Sequence, residues 1–373
     1  IIFLKVKTLM KKKEFNFIIY SPFPHYTGGI ETWLFNVSSL LANKNYKINI
    51  FSYKDNALEK SFVIKNDNIT IYRIGILRSN NFLRKFIRSY LIIVDDIIFS
   101  LRMSIAINKK IKKNSTIISL GPIVSCLPVI LNNIFYKRYK LICSVRGFHA
   151  KIITNRFKKL KILWYWLEEI SFKKSDCIWC NGQDTLKYVI NKGYQATLMP
   201  NGVDFKKYNK GNNSYLNFQE VDNLFNNSRS VYIVSTATLL KIKGVNELIK
   251  CLPKVAEQSK KRFKVIWVGK GNKDKYIKFA KELGVDNYIE FIGERKDTAP
   301  YLKLADIILC LSGGGGISMS LLEAMASAKP IIAWNNNVYR QLLKHDISGI
   351  LVPNKNSDKL ADALIDLINN YNS

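Results

Sequence analysis

Residues 312–334, SGGGGISMSLLEAMASAKPIIAW, carry the densest chemical signal in the chain. A strand read at 306–312 runs through four glycines into a short helix with one carboxylate, Glu323, and then into a second strand at 330–334. Glycines put no side chain between a ligand and the backbone, and they lead it to the unpaired N–H groups that open the next helix. Such a helix end binds anions. Four glycines also suit a bare surface turn. Against that reading, Leu321, Leu322 and Met325 give the helix an apolar face to bury, which anchors its start. Glu323 sits one turn inside, where a carboxylate is unsuited to phosphate and well suited to sugar hydroxyls. The two features together point to a nucleotide-sugar site.

Four further loops follow strands. After a strand at 15–21 comes PFPHYTGGIETW, in which Gly28 and Gly29 turn into a helix starting near Glu31. A glycine pair alone also makes a plain tight turn. A strand at 141–145 leads to Arg146-Gly147-Phe148-His149, a cation and an imidazole at a strand end, where a structural arginine is the competing reading. Pro200-Asn201-Gly202-Val203-Asp204 is a turn signal. Residues 236–244, TATLLKIKG, place Lys243 just before a helix, within reach of a phosphate held at the helix start.

The elements that must position these loops follow from hydrophobic patterning. Strands at 15–21, 47–53, 69–74, 116–120, 141–145, 177–181 and 197–199 fill the first half, with a helix at 31–43 whose Trp33, Leu34, Val37, Leu40 and Leu41 form one apolar stripe. The second half repeats the scheme at 231–236, 264–269, 288–293, 306–312, 330–334 and 349–352. Continuous apolar strands joined by amphipathic helices imply parallel sheets covered on both faces. The expected architecture is α/β with two facing Rossmann-like doubly wound domains. The first spans 10–203, a polar Asn-rich linker 204–228, and the second 229–373. Ligands of such sheets bind at the carboxyl ends of the strands.

Composition bounds the partners. With 47% hydrophobic and 23% charged residues among 373, the chain is of ordinary globular composition and long enough for two cores. Its net charge of +30 is unusual. Residues 1–190 hold 32 basic and 11 acidic side chains, net +21, against 26 and 17, net +9, in residues 191–373. A basic surface attracts nucleic acid or anionic lipid headgroups alike. No reader motif or aromatic-interleaved basic run supports nucleic acid. The segments 78–88 and 109–113, rich in Arg and Lys, flank an apolar stretch and suit an anionic membrane surface; a solvated basic face over a core helix is the plainer alternative.

Met10 reads as a more natural start than Ile1. No run approaches the roughly 18 apolar residues of a membrane span, because LIIVDDIIFSL is broken by Asp95 and Asp96. A cytoplasmic protein, peripheral on the inner face of the cell membrane, is expected. The six cysteines are scattered, and the two of the single CxxC, Cys177 and Cys180, point to opposite faces of a strand. No metal site is expected, since there is no Asp-x-Asp and Asp95-Asp96 lie in an apolar, helical stretch.

The ordered motifs resemble the retaining glycosyltransferases of family 4, also called group 1, which have the GT-B fold. The likeness rests on GGIE at 28–31, PNGVD at 200–204, Lys243-Gly244, VGKG at 268–271, FIGER at 291–295, LADIILCLS at 304–312 and LLEAMASAKPIIA at 321–333. Any one is weak, but seven in the family's order are specific. The resemblance implies transfer of a sugar from a nucleoside-diphosphate sugar to an acceptor hydroxyl, with retention and without a metal or cofactor. The acceptor would be a lipid-linked or surface-polysaccharide glycan. Alternatives are another GT-B enzyme, such as a nucleotide-sugar epimerase, or an inactive nucleotide-sugar-binding homologue.

By the same resemblance Arg146, Lys243 and His149 are the catalytic set. Lys243 would neutralise the diphosphate, and Gly28, Gly29 and Glu31 would admit the acceptor or the donor phosphates. Asn201 and Thr238 would line the site, and the amides of Gly316, Ile317, Ser318 and Met319 would bind the far phosphate oxygens. Glu323 would grip the ribose and the backbone at Glu294 and Arg295 would read the base. Three positions depart from the family pattern. Gly315 stands for the first of a glutamate pair spaced by eight, Thr238 for an arginine five before the lysine, and Arg146 for a histidine. Arg146 would then compensate as the second cation, or His149 would shift into the role.

Overall fold

The computed structural model describes residues 14–21, 23, 28–54, 66–75, 88–136, 139–148, 161–209, 221, 224–225, 230–295, 297–313 and 317–371. The chain divides into two compact units, the first made of residues 1–25 and 30–200 and the second of residues 26–29 and 201–373.

The first unit runs β1 (Glu14–Ile19), α1 (Gly29–Ala42), β2 (Lys47–Tyr53), β3 (Ile69–Ile74), α2 (Arg88–Lys110), β4 (Thr116–Leu120), α3 (Leu127–Tyr136), β5 (Lys140–Val145), α4 (Lys161–Lys173), β6 (Cys177–Cys180), α5 (Gln183–Asn191) and β7 (Thr197–Leu198). Its sheet is parallel throughout, in the order β3-β2-β1-β4-β5-β6-β7. The order reverses between β1 and β4, so the chain leaves β3 by a crossover through α2, and the carboxyl ends of β1 and β4 flank the switch point. Phe99, Met103 and Ile107 of α2 pack in one core with Val129 and Ile130 of α3, Trp164 and Phe172 of α4 and Val189 of α5. These four helices therefore cover one face of the sheet. Asp96 is buried within α2 and accepts a hydrogen bond from the Tyr20 hydroxyl, so the carboxylate that interrupts the apolar run is paired inside the fold.

The second unit runs α6 (Phe205–Tyr208), β8 (Ser230–Thr236), α7 (Val245–Gln258), β9 (Arg262–Val268), α8 (Lys273–Glu282), β10 (Ile289–Gly293), α9 (Ala299–Leu304), β11 (Ile307–Cys310), α10 (Met319–Ala326), β12 (Ile331–Trp334), β13 (Ile350–Val352) and α11 (Ser357–Asn370). Its parallel sheet has the order β10-β9-β8-β11-β12-β13, with the switch point between β8 and β11. Two cores lie on the two faces of this sheet. One joins α7 and α11 around Trp267, and the other packs α9 and α10 around Ile308 and Tyr301.

All thirteen strands read from the apolar runs are present. Two side-chain expectations change. Leu40 on α1 and Met325 on α10 are exposed, and the buried face of α10 is made by Met319, Leu321, Glu323, Ala324 and Ala326. A helical stripe is wider than the surface it meets, so its margins stay in water. Within the stretch read as linker, Tyr208 and Val221 are buried in the second unit's core, where their apolar bulk is removed from water. Among the described residues, no helix is long and apolar enough to cross a membrane.

Candidate functional site

The loop after β8 is shaped by glycines on its neighbour. The Ala237 N–H bonds the Val268 carbonyl (3.0 Å), the Leu239 N–H bonds the Lys270 carbonyl (2.8 Å), and the Trp267 indole N–H donates to the Ala237 carbonyl (2.7 Å). A Cβ on Gly269 would come 1.9 Å from that carbonyl oxygen, which explains why the VGKG stretch carries glycine there. Thr238, half-buried, sits on this loop, and its carbonyl accepts from the Leu240 N–H at 2.8 Å.

The loop then makes a short 3-10 turn, Lys241–Lys243, and Gly244 caps α7 with φ +77°. A side chain on Gly244 would lie 2.5 Å from the Leu311 Cβ, so the start of α7 is pressed against the end of β11. The Gly313 N–H donates to the Ile242 carbonyl (2.9 Å) and holds this first glycine at the same place. Lys243 reaches across it, with Nζ 2.9 Å from the Ser312 Oγ. Burial lowers the pKa of this ammonium. Ser312 is held by the Asn336 side chain, which donates to its carbonyl at 3.0 Å.

Ser318 caps α10, accepting from the Leu321 N–H at 3.4 Å, and Met319 is buried as its first residue. The Asn201 side chain donates to the Ile317 carbonyl (2.8 Å), tying the PNGVD turn to the approach of this helix. Glu323, one turn further, is buried at 6% exposure. Burial pushes its carboxyl up to about 7; the Lys207 charge and a hydrogen bond with Tyr208 oppose the shift. Tyr208, in the stretch that reads from the sequence as linker, is buried beside this carboxyl. Its signal is Asp204, whose side chain caps the four-residue helix α6 by accepting from the Lys206 N–H at 3.1 Å. Lys207 beside it forms an ion pair with Asp297 (2.9 Å). Arg295 is exposed after β10 and donates to the Tyr301 hydroxyl and the Glu294 carbonyl, both at 3.0 Å.

The second unit thus brings Asn201, Thr238, Lys243, Ile317, Ser318, Met319 and Glu323 to the loops and helix starts around the β8/β11 switch point, and Glu294 and Arg295 follow β10 on the same carboxyl edge. Such a set can hold an anion on Lys243 and helix amides while a carboxylate accepts from hydroxyl groups. Gly315 and Gly316 lie outside the described residues. The family match falls on this same half. Residues 218–373 match the family model described as glycosyl transferases group 1. This half of the chain belongs to the group 1 glycosyltransferases.

Curated relatives include two of named family or activity. One, an uncharacterized glycosyltransferase of Methanocaldococcus jannaschii, is 28% identical over 39% of this chain and 37% of its own length. The other, the UDP-Gal:alpha-D-GlcNAc-diphosphoundecaprenol alpha-1,3-galactosyltransferase of Escherichia coli, is 24% identical over 60% of this chain and 58% of its own. The matches thus span about two fifths and three fifths of those relatives. Anabaena HepE, solved with UDP and glucose, superposes with a TM-score of 0.66 at 16% identity, over 96% of this chain and 90% of that one. The fold is GT-B, as the sequence motifs imply.

Gly28 lies at a bend and Gly29 opens α1, both counted with the second unit, while Glu31 in the first turn of α1 belongs to the first. Arg146 follows β5, half-buried, with its guanidinium carbon 3.5 Å from the centroid of the Trp33 ring and Nε donating to the Ser144 Oγ at 3.2 Å. Burial pushes its pKa down to about 9, which leaves it cationic at neutral pH. Trp33 was read from the sequence only as part of the α1 stripe, and nothing in its local pattern marks it as the platform for this cation. His149 lies outside the described residues.

Proposed function

We propose that this group 1 protein is a retaining, metal-independent hexosyl- or related glycosyltransferase acting on a nucleoside-diphosphate sugar. The observation that carries the reading is the placement of Lys243 and Glu323 on the two sides of one switch point, a cation for diphosphate and a buried carboxylate for hydroxyls. In this reading the second unit holds the donor. Lys243 and the amides from Gly316 to Met319 stabilise the diphosphate, Glu323 accepts from the ribose hydroxyls, and the backbone at Glu294 and Arg295 faces the base. Thr238 and Gly315, where the family pattern has charged side chains, leave Arg146 or His149 to supply the missing polarity at the sugar.

The sugar C1–O bond to the diphosphate breaks, the acceptor oxygen bonds to C1 on the same face, and the acceptor proton is released. The negative charge that grows on the leaving group meets a fixed cation and helix amides, which need no reorganisation as it forms. Gly28, Gly29, Glu31 and Arg146 serve the acceptor side. The E. coli relative, named for a diphosphoundecaprenol substrate, supports a lipid-linked acceptor in cell-envelope polysaccharide synthesis. With +21 on residues 1–190, the protein would work as a peripheral protein at the anionic inner face of the cell membrane.

The test is a screen of radiolabelled UDP-, GDP- and dTDP-sugars against lipid-linked acceptors. One donor should give a product whose anomeric configuration, read by NMR, equals that of the donor. Inversion, or neither transfer nor donor hydrolysis with any sugar, would overturn the reading.

A further inference from the structure

We infer that the outer surface of the helical layer formed by α2, α3, α4 and α5 is a docking face for an anionic bilayer. The inference deepens the function proposed above, because it names the face by which the enzyme would reach a membrane-borne acceptor. The inner sides of these helices share one core, so their outer sides form one surface. On α2, Ile97, Leu101 and Ile105 repeat every four residues and are each about half exposed, an apolar stripe turned to water. Phe135 at the end of α3 is 73% exposed, and on α4 Ile162 is 87% and Trp166 58% exposed. Single exposed apolar residues are ordinary, but three neighbouring helices of one layer each presenting them are not. Bulky apolar and aromatic side chains of this kind suit the boundary between headgroups and acyl chains.

Charge selects the partner. The exposed charged side chains described on these helices are Arg102, Lys109, Lys110, Lys161, Lys173 and Lys187. The acidic groups of the same helices are withdrawn. Asp96 and Glu168 are buried, Asp95 and Asp184 half-buried, and Glu169 is ion-paired with Lys192 at 2.9 Å. A symmetric dimer through this face would set these cations against their own copies, which costs free energy. Nucleic acid would satisfy the lysines and leave the isoleucines without a partner. An anionic lipid surface satisfies both, since each cation near it favours binding and each apolar side chain can enter the headgroup boundary.

The experiment measures binding of the full chain to vesicles of phosphatidylcholine with increasing phosphatidylglycerol, without donor or acceptor. Binding should rise with phosphatidylglycerol and fall with salt. The variant F135S/I162S/W166S should bind at least tenfold more weakly. Lys109→Gln, Lys110→Gln and Lys161→Gln should each cost about fivefold. All these side chains are exposed, so thermal midpoints should match the parent. The conservative Trp166→Phe should keep binding while losing part of the tryptophan quenching by brominated lipid. No binding to phosphatidylglycerol vesicles at low salt, equal binding by every variant, or unchanged quenching in Trp166→Phe would overturn the inference. So would a dimer in ultracentrifugation that the apolar variant abolishes while vesicle binding stays intact. Donor hydrolysis, assayed separately, distinguishes the two readings. Hydrolysis without vesicle binding refutes the docking face alone, and vesicle binding without any donor turnover refutes the transferase reading alone.

Discussion

The guanidinium carbon of Arg146 lies over Trp33, 3.5 Å from the ring centroid, and its Nε donates to Ser144 Oγ. Trp33 is in turn set edge-on to Phe17 at 6.4 Å, so the cation rests on a side chain that the β1 core already fixes. A cation–aromatic contact of this kind contributes about 0.5–2 kcal/mol, depending on desolvation. Arg146→Lys should therefore lose both the stack and the planar fork. Turnover is expected to fall at least tenfold, while calorimetric affinity for the nucleoside diphosphate stays within about twofold. Trp33→Phe should keep most of the activity and Trp33→Leu should not. Parent turnover in Arg146→Lys would remove Arg146 from the mechanism.

Lys243 and Ser312 make a second pair, 2.9 Å apart across two strand ends. Lys243→Ala should lower turnover at least a hundredfold, because Thr238 offers no second cation to the diphosphate. Ser312→Ala leaves the charge but frees its position, so a loss of several-fold in kcat with little change in stability is expected. Single-turnover assays at saturating donor would read both. Equal activity of parent and Lys243→Ala would mean that the charge is met elsewhere.

The carboxyl of Glu323 gives a pH signature. Burial holds it at about 7 in the folded protein, against 4.5 in the unfolded chain. The group is protonated in both states below pH 4.5, so its contribution is fully present there. That contribution is lost as pH rises through 7, because the folded state must then ionise a buried group. The loss is on the order of 3 kcal/mol. Glu323→Gln abolishes it, so the variant should melt above the parent at pH 8 and with it near pH 4.5. The same variant should bind the nucleoside diphosphate about tenfold or more weakly, through loss of a charge-assisted hydrogen bond. Unchanged affinity in calorimetry would separate Glu323 from the ribose.

Two glycines give a steric test of the loop after β8. Gly269→Ala must place a methyl group where the Ala237 carbonyl already lies, and should destabilise the protein by about 3 kcal/mol in denaturant unfolding. Around Gly202 the space is open to 4 Å, and Gly202→Ala should change stability by no more than about 0.5 kcal/mol. Comparable stability of the two variants would mean that the loop after β8 does not rest on β9.

Local patterning alone determined the thirteen strands, because a strand buried on both faces must be apolar along its whole length, and the ordered motifs fall in loops at strand ends. Which side chains meet was decided by tertiary structure. Arg146 and Trp33 are 113 positions apart, Lys243 and Ser312 are 69, and Glu323 and Tyr208 are 115. Each pair is joined by strand order and crossover, which hydrophobic period does not encode. The outward turn of Leu40 and Met325, and the exposed row Ile97, Leu101 and Ile105, have the same origin. A helix sequence states how wide its apolar stripe is, but only the packed neighbours decide how much of that stripe is covered.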